Sequence, residues 1–326
     1  MSDTPHYAMI QVDLDGLDSV LDCYGSALGE QETDTVYADG VVRLLDLLKE
    51  FDLKATFFLI GRDAEIPYKR RVLERLVREG HELGNHTYSH PLGFARLSME
   101  EQRSEIERCS TLIRELSGRE PVGFRAPGYA ITGQVVNFLE ELRFSYDASV
   151  FPCACSFLIR AWQSLFSPSQ FEEEKYGASI HAVAPQSPYL PDREKVYRVS
   201  SEEREICEVP VSTTRLFRLP FHGSYVMVFS KLVKNLGLWY WRAGFDWYRR
   251  NGIPYVFVIH PLELTDIGND KRLKAQIGYD IPVQEKLSLY RSIFSTLKKR
   301  SLPVTTADFV ENHRLGGGYE KQQQCA

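Results

Sequence analysis

Short apolar runs alternate with amphipathic stretches along most of this chain, and that rhythm constrains its fold more than any other feature. YAMIQVDLDG, at 7–16, reads as a strand with carboxylates at its end. Residues 41–51 (VVRLLDLLKEF) carry apolar side chains at helical spacing, and 53–60 (LKATFFLI) form a second strand. Residues 71–79 are helical, and Gly80 with HELGNH gives a third strand. A helix over 100–116 ends at Ser117-Gly118, a strand follows at 122–125, and a helix at 135–142. Beyond ICEVPVST, a helical stretch around 231–250 leads into the strand PYVFVIHP, then a helix at 284–299 and a strand end and helix start in PVTTADFV. Helices between strands require parallel pairing, and six or seven βα units predict a barrel rather than an open sheet.

Between 151 and 204 the rhythm stops. Pro152, Pro168, Pro185, Pro188 and Pro191 mark this stretch as an irregular insertion, so a single domain over 1–312 is predicted, with its core at 7–150 and 205–312. Residues 313–326 read as a flexible tail. A composition of 43% hydrophobic and 25% charged residues suffices for a core and excludes disorder of the whole chain. The net charge of −5, without a basic block, argues against nucleic acid as a partner. No basic segment followed by an apolar core opens the sequence, and its apolar runs are too short to cross a bilayer, so a cytoplasmic location is expected. The cysteines, Cys153 and Cys155 included, have neither zinc-knuckle nor disulfide spacing and read as ordinary thiols.

In βα barrels reactive groups cluster where strands end, because the βα loops build that face. Asp13 and Asp15 close the first strand, and their spacing of two sends both carboxylates to one face. The plainer alternative is a solvated loop or a helix cap. His86 and His90 in HTYSH stand four residues apart, which on one helical turn brings both imidazoles toward a single cation. With one carboxylate they make a two-histidine, one-aspartate site that keeps open positions for water and substrate. His81 reads as structural.

VDLDG, ATFFLIG, GHELGNHTYSHP, GFRAPGY and FVIHP, in this order, resemble the polysaccharide deacetylase family, also called the nodulation-factor deacetylase homology domain. The resemblance covers roughly 7–150 and 205–312 and extends to a branch with envelope-sugar deacetylases and a deformylase of lipid-linked aminoarabinose. It implies an α/β fold, a distorted (β/α)7 barrel with the irregular insertion, that hydrolyses N- or O-acyl groups on sugars. Carried onto this sequence, it implies Asp13 as general base, Asp15 with His86 and His90 as metal ligands, Arg125 as the partner that keeps Asp13 ionised, and His260 as general acid. Many members have adjacent aspartates at the first motif, whereas one residue separates them here, so which aspartate is base and which is ligand stays open.

The chemistry agrees with such roles. Amide hydrolysis at neutral pH needs an activated water, a base, a stabilised oxyanion and a proton for the leaving nitrogen. A backbone N–H near Tyr129 is a candidate for the oxyanion, and His260 suits the proton. The alternatives are an ion pair of no catalytic use for Arg125 and a buried, satisfied histidine for His260. Asp147 in SYDAS is the nearest candidate to orient the acid histidine, or else a turn residue. Glu263 faces the cleft or the solvent. His222 in LPFHGSY touches substrate or serves its loop.

Residues 225–250 mix aromatic side chains with Lys231, Lys234, Arg242, Arg249 and Arg250, which suits a helix resting peripherally on anionic lipid or, more plainly, a barrel helix packed on the sheet. FLIRAWQSLF at 157–166 invites the same two readings. The expected protein is a metal-dependent hydrolase removing an acetyl or formyl group from an amino sugar, an envelope polysaccharide or a lipid-carried precursor. Zn²⁺ is the expected cation, with Co²⁺, Mn²⁺ or Fe²⁺ also compatible. An allantoinase-like cyclic amide hydrolase and an inactive sugar-binding module are the competing readings.

Overall fold

The computed structural model of the chain describes residues 6–153 and 179–315, apart from 234, 269, 275, 277 and 279. Strand β1 (Tyr7–Asp13) organises it. On one side β1 pairs with β7 (Tyr255–Ile259); on the other it pairs with β2 (Thr56–Leu59) at its end and with β8 (Leu302–Val304) at its start. From β2 the row continues through β3 (Glu82–Asn85), β4 (Gly123–Phe124), β5 (Tyr146–Asp147) and β6 (Cys207–Glu208), and every pairing is parallel. Seven parallel strands thus form one curled row, a half-barrel consistent with the distorted (β/α)7 barrel, with β8 as an eighth strand beside β1.

No regular ladder joins β6 to β7 among the described residues. The span is crossed by 211–222, through isolated bridges Thr213↔Pro220 and His222↔Val258 and the bond from Phe221 N–H to the Ser212 carbonyl at 2.9 Å. Strands β4 to β6 have two residues each, too short for a long ladder.

Both faces of the sheet are buried, as parallel sheets require. Ala8, Ile10 and Val12 of β1, with Phe57, Leu59, Phe257 and Ile259, point outward. They pack under α2 (Val42–Glu50), α3 (Pro67–Arg78) and, later in the chain, the helices around Trp241 and Tyr290. Met9, Phe58, Tyr146, Val256 and Val258 point into the concave face, together with Phe309 from the last helix. Period two then turns Gln11 and Asp13 inward as well. A slip of one residue in β1 would send Asp13 out among leucines.

Most expected elements are found with shifted ends. Helix α3 starts at Pro67 rather than 71, since proline is favoured in a first turn where no N–H partner is needed. Helix α4 (Met99–Ser117) is closed at one end by a Ser98–Glu101 capping box and at the other by Gly118 at φ 71°. Helix α5 (Gly133–Glu141) follows β4, and a short α1 (Leu17–Cys23), not expected, follows β1. The stretch around 231–250 is two helices, α6 (Gly223–Leu232) and α7 (Leu236–Arg250), broken at Asn235 with φ 68°. Helix α8 (Val283–Arg300) and α9 (Thr306–Leu315) complete the set, so helix persists three residues into the expected tail. Residues 316–326 lie outside the described residues, as do Cys155 and 157–166 of the insertion. Its later part, 179–204, has one short 3-10 turn (Ser179–Val183) and the isolated bridges Tyr189↔Glu208 and Pro191↔Val199. No described helix is long and apolar enough to cross a membrane.

Candidate active site

Asp13, Asp15, His86, Arg125, Asp147 and His260 sit in or just after a strand, at its carboxyl end, and His222 caps the helix that begins at Gly223. Leu14 N–H donates to the Phe58 carbonyl and His86 N–H to the Leu59 carbonyl, so ladder bonds run one residue past β1 and β3 and fix the backbone that carries the site. His86 keeps the inward parity of Glu82 and Gly84.

The expected helical turn at HTYSH is a loop instead. Thr87 and His90 adopt φ of 65° and 58°, values no helix tolerates. The loop is held by bonds from Thr87 N–H to Asn85 Oδ1 (2.9 Å), His90 N–H to Thr87 Oγ1 (3.1 Å) and Ser89 N–H to Glu105 Oε2 (2.7 Å). The two imidazoles still converge. Nε2 of His86 and Nε2 of His90 each lie 3.5 Å from Asp15 Oδ1, with ring centroids 4.9 Å apart.

This trio has the donor chemistry of a cation site. His86 Nδ1 lies 2.7 Å from the Arg125 carbonyl, which can only accept, so Nδ1 carries a proton and Nε2 is the atom turned to Asp15. Burial pushes His90 down to about 4, which keeps that ring neutral. Asp15 Oδ1 is buried and has no hydrogen-bond partner. Donors bound to one tetrahedral cation at about 2.1 Å stand about 3.4 Å apart, close to the spacing found. The set therefore fits a divalent metal.

Asp13 is built differently. Arg125, buried after β4, gives Nη1 to Asp13 Oδ1 at 2.6 Å, Nη2 to Gln11 Oε1, and Nε to the Ala148 carbonyl at 2.9 Å. Phe58 stacks on the guanidinium, 4.3 Å from its carbon. Burial by itself would raise the Asp13 carboxyl; Arg125 first, then His260 and His86, outweigh it and hold the group below the ordinary carboxylate range. The Tyr129 hydroxyl donates to Asp13 Oδ2 at 3.2 Å. Its own N–H is bonded to the Ala126 carbonyl at 3.0 Å, and Tyr129 faces the site through its phenol.

His260, after β7, closes the cluster, its Nε2 lying 3.3 Å from Asp15 Oδ2 and 3.6 Å from Asp13 Oδ2. Burial would lower it; the hydrogen bond and charge of Asp15, with the charge of Asp13, raise it to about 9. His222 stacks on it at 4.7 Å and 29°, and burial with the neighbouring His260 pushes His222 well below the ordinary range.

One carboxylate is not where it was expected, and for another, Glu263, one of two alternatives falls away. Asp147 lies in β5 between inward Tyr146 and Ala148, so period two turns it outward, away from the cleft. It accepts from Ser149 Oγ at 2.5 Å and pairs with Glu208 of β6, both carboxyls being raised by burial. Glu263 is buried rather than solvated, accepting from the hydroxyls of Ser224 and Tyr290, with Oε1 3.5 Å from His222 Nδ1.

Lys69, a residue with no motif to announce it, lies under the Asp15 loop. Its Nζ meets Asp34 at 2.7 Å and Asp63 at 2.8 Å, all three fully buried, and Asp34 Oδ2 accepts from Leu17 N–H at 3.0 Å. A side chain at Gly16 would place its Cβ 2.7 Å from that carboxylate, so the turn after Asp15 needs glycine. Lys69→Met is expected to cost about 3–5 kcal/mol, because two buried carboxylates lose their cation. Chemical denaturation measures it, and a loss under about 1 kcal/mol would show the network to be dispensable.

Among known proteins, the polysaccharide deacetylase family model matches residues 33–146. A peptidoglycan-N-acetylglucosamine deacetylase of Bacillus cereus is 37% identical over 103 residues, 31% of this chain and 36% of that protein. The chain spans less than half the length of the curated relatives it matches. A solved structure from Mycobacterium smegmatis, named for the polysaccharide deacetylases, superposes with a TM-score of 0.60 at 16% identity, covering 97% of this chain and 93% of that one. An allantoinase does so with 0.58 at 16% identity, covering 96% and 95%. These two likenesses show the fold. Asp13, Asp15 and His260 lie outside the matched segment and are joined to it only in three dimensions. Residues 33–146, which carry His86, His90 and Arg125, match the polysaccharide deacetylase model and are set in this half-barrel.

Proposed function

We propose that the protein is a metal-dependent hydrolase that removes an N-acyl group, acetyl or formyl, from an amino sugar of an envelope polysaccharide or a lipid-linked precursor. The observation that carries this reading is Asp15 Oδ1, a buried acceptor without a hydrogen bond, faced by the Nε2 atoms of both His86 and His90. Zn²⁺ suits the trio best, and Co²⁺, Mn²⁺ or Fe²⁺ share its chemistry. Held there, the cation would supply Lewis acidity, making a water acidic enough to attack near neutral pH.

The remaining work falls to side chains. Asp13, kept ionised by Arg125, accepts the proton of the attacking water at its Oδ2 face. Tyr129, donating to that same oxygen, fixes the carboxylate plane. His260, kept cationic by the two aspartates, gives a proton to the nitrogen as the C–N bond breaks. A sugar-binding module would gain nothing from burying Arg125 against Asp13, since buried ion pairs do not by themselves stabilise a fold.

The test is acid release. The full chain, supplied with Zn²⁺ or Co²⁺, is incubated with N-acetylglucosamine oligomers, nucleotide-linked N-acyl amino sugars and lipid-linked ones. Acetate or formate should appear, stop on chelation and return with the metal. Release that ignores chelation would remove the metal from the reading, and release only from cyclic ureides would replace the sugar.

A further inference from the structure

Helices α6 and α7 bury much of their aromatic content, Trp241, Phe245 and Tyr248 lying in the main core. A rim is left outside. Of the ten large hydrophobic side chains exposed among the described residues, five fall between 213 and 244: Leu216, Phe217 (80% exposed), Leu232, Val233 and Trp239. Tyr240, beside Trp239 on α7, donates its hydroxyl to the Pro220 carbonyl at 2.9 Å and packs its ring on Phe221 at 5.1 Å and on Phe229 of α6 at 4.7 Å. Tyr240 thus ties α7 both to α6 and to the segment that follows the 214–219 loop.

The loop holds its apolar tip outward by construction. Thr214 N–H donates to the Leu219 carbonyl at 2.7 Å, and Leu219 N–H returns to Thr214 Oγ1 at 2.9 Å, closing a hairpin. Phe217 and Arg218 at its tip have φ of 65° and 49°, a conformation unfavourable for such residues. Between 213 and 244 the chain has five basic residues, Arg215, Arg218, Lys231, Lys234 and Arg242, and no acidic one, although its net charge is −5; Lys231 is paired with Asp280 at 2.6 Å, while Arg215 and Arg242 are exposed.

We propose that this rim docks the protein on an anionic lipid surface, with Leu216, Phe217 and Trp239 entering the headgroup–acyl boundary and Arg215 and Arg242 meeting lipid phosphates. Small apolar tips among cations suit that surface. A second copy packed symmetrically would set the same basic segment against itself. Pro220 and Phe221 lead directly from the loop to His222, which stacks on His260. Lipid binding is measured without turnover and stands or falls apart from the reaction assigned above.

The full chain is sedimented with vesicles of phosphatidylcholine, with and without phosphatidylglycerol. Binding should require phosphatidylglycerol and weaken with salt. Arg215→Ser with Arg242→Ser, and separately Leu216→Ser with Phe217→Ser and Trp239→Ser, should each cut partitioning about tenfold or more, with melting temperature unchanged. Absence of binding to anionic vesicles, or undiminished binding by both variants, would overturn the proposal. So would a dimer in analytical ultracentrifugation that the apolar variant disperses, since the rim would then be a protein interface.

Discussion

Asp13→Asn is expected to stay folded and keep its metal while turnover falls by about 10²–10⁴-fold, whereas His86→Ala should lose the metal and with it nearly all activity. The division follows from what each side chain already touches. Asp13 has one oxygen on Arg125 at 2.6 Å and the other under the Tyr129 hydroxyl, and an amide can keep much of that packing while losing the basicity. His86 supplies an Nε2 lone pair that nothing else in the loop replaces, because its Nδ1 is committed to the Arg125 carbonyl. Metal content by atomic emission and melting temperature, measured beside kcat, separate the cases. Metal lost from Asp13→Asn but retained in Asp15→Asn would exchange the two aspartates between base and ligand. Full metal occupancy in His86→Ala would take His86 out of the site.

The sequence makes parts of this legible and hides others, for physical reasons. Parity along β1 is local, so the inward turn of Asp13 can be read from two residues' spacing, and Gln11, a further two residues back, could have been found by the same rule. Parity also places Asp147 outward, but only once β5 is known to be a strand, and two residues of strand leave little periodic signal. HTYSH brings its histidines together by left-handed backbone at Thr87 and His90, a local conformation that spacing alone represents as a helical turn. Lys69 and Asp34 have no signal at all. Their pairing depends on a contact between distant segments, and isolated Lys and Asp residues usually signify solvated surface.

The site divides its charge between two sides. His90 is held as a neutral donor by burial, while His260, sharing the same carboxylates, is held cationic. The difference lies in the partners: His260 has a hydrogen bond to Asp15 and the charge of Asp13, whereas His90 has His86 and Arg62 nearby. Similar imidazoles thereby serve as ligands and as acid within one cluster.

His260→Ala should lower turnover by about 10²–10⁴-fold with a modest change in KM, because the proton it gives is needed in the transition state more than in binding. Its ordinary pKa of 6.5 is raised to about 9, so the acid form persists above 6.5 and is lost as pH passes the raised value. A cation on Asp15 would cancel part of that carboxylate's pull, and Asp13 would remain, which puts the alkaline limb of kcat between 6.5 and about 9. The limb should vanish in His260→Ala. A substrate with an activated leaving group departs without protonation and should suffer far less from the same change. If both substrate types fall equally and the alkaline limb survives, His260 is a structural histidine. His222, stacked 4.7 Å away, is then the next side chain to test as the acid, although its depressed pKa makes it a poor proton carrier at neutral pH.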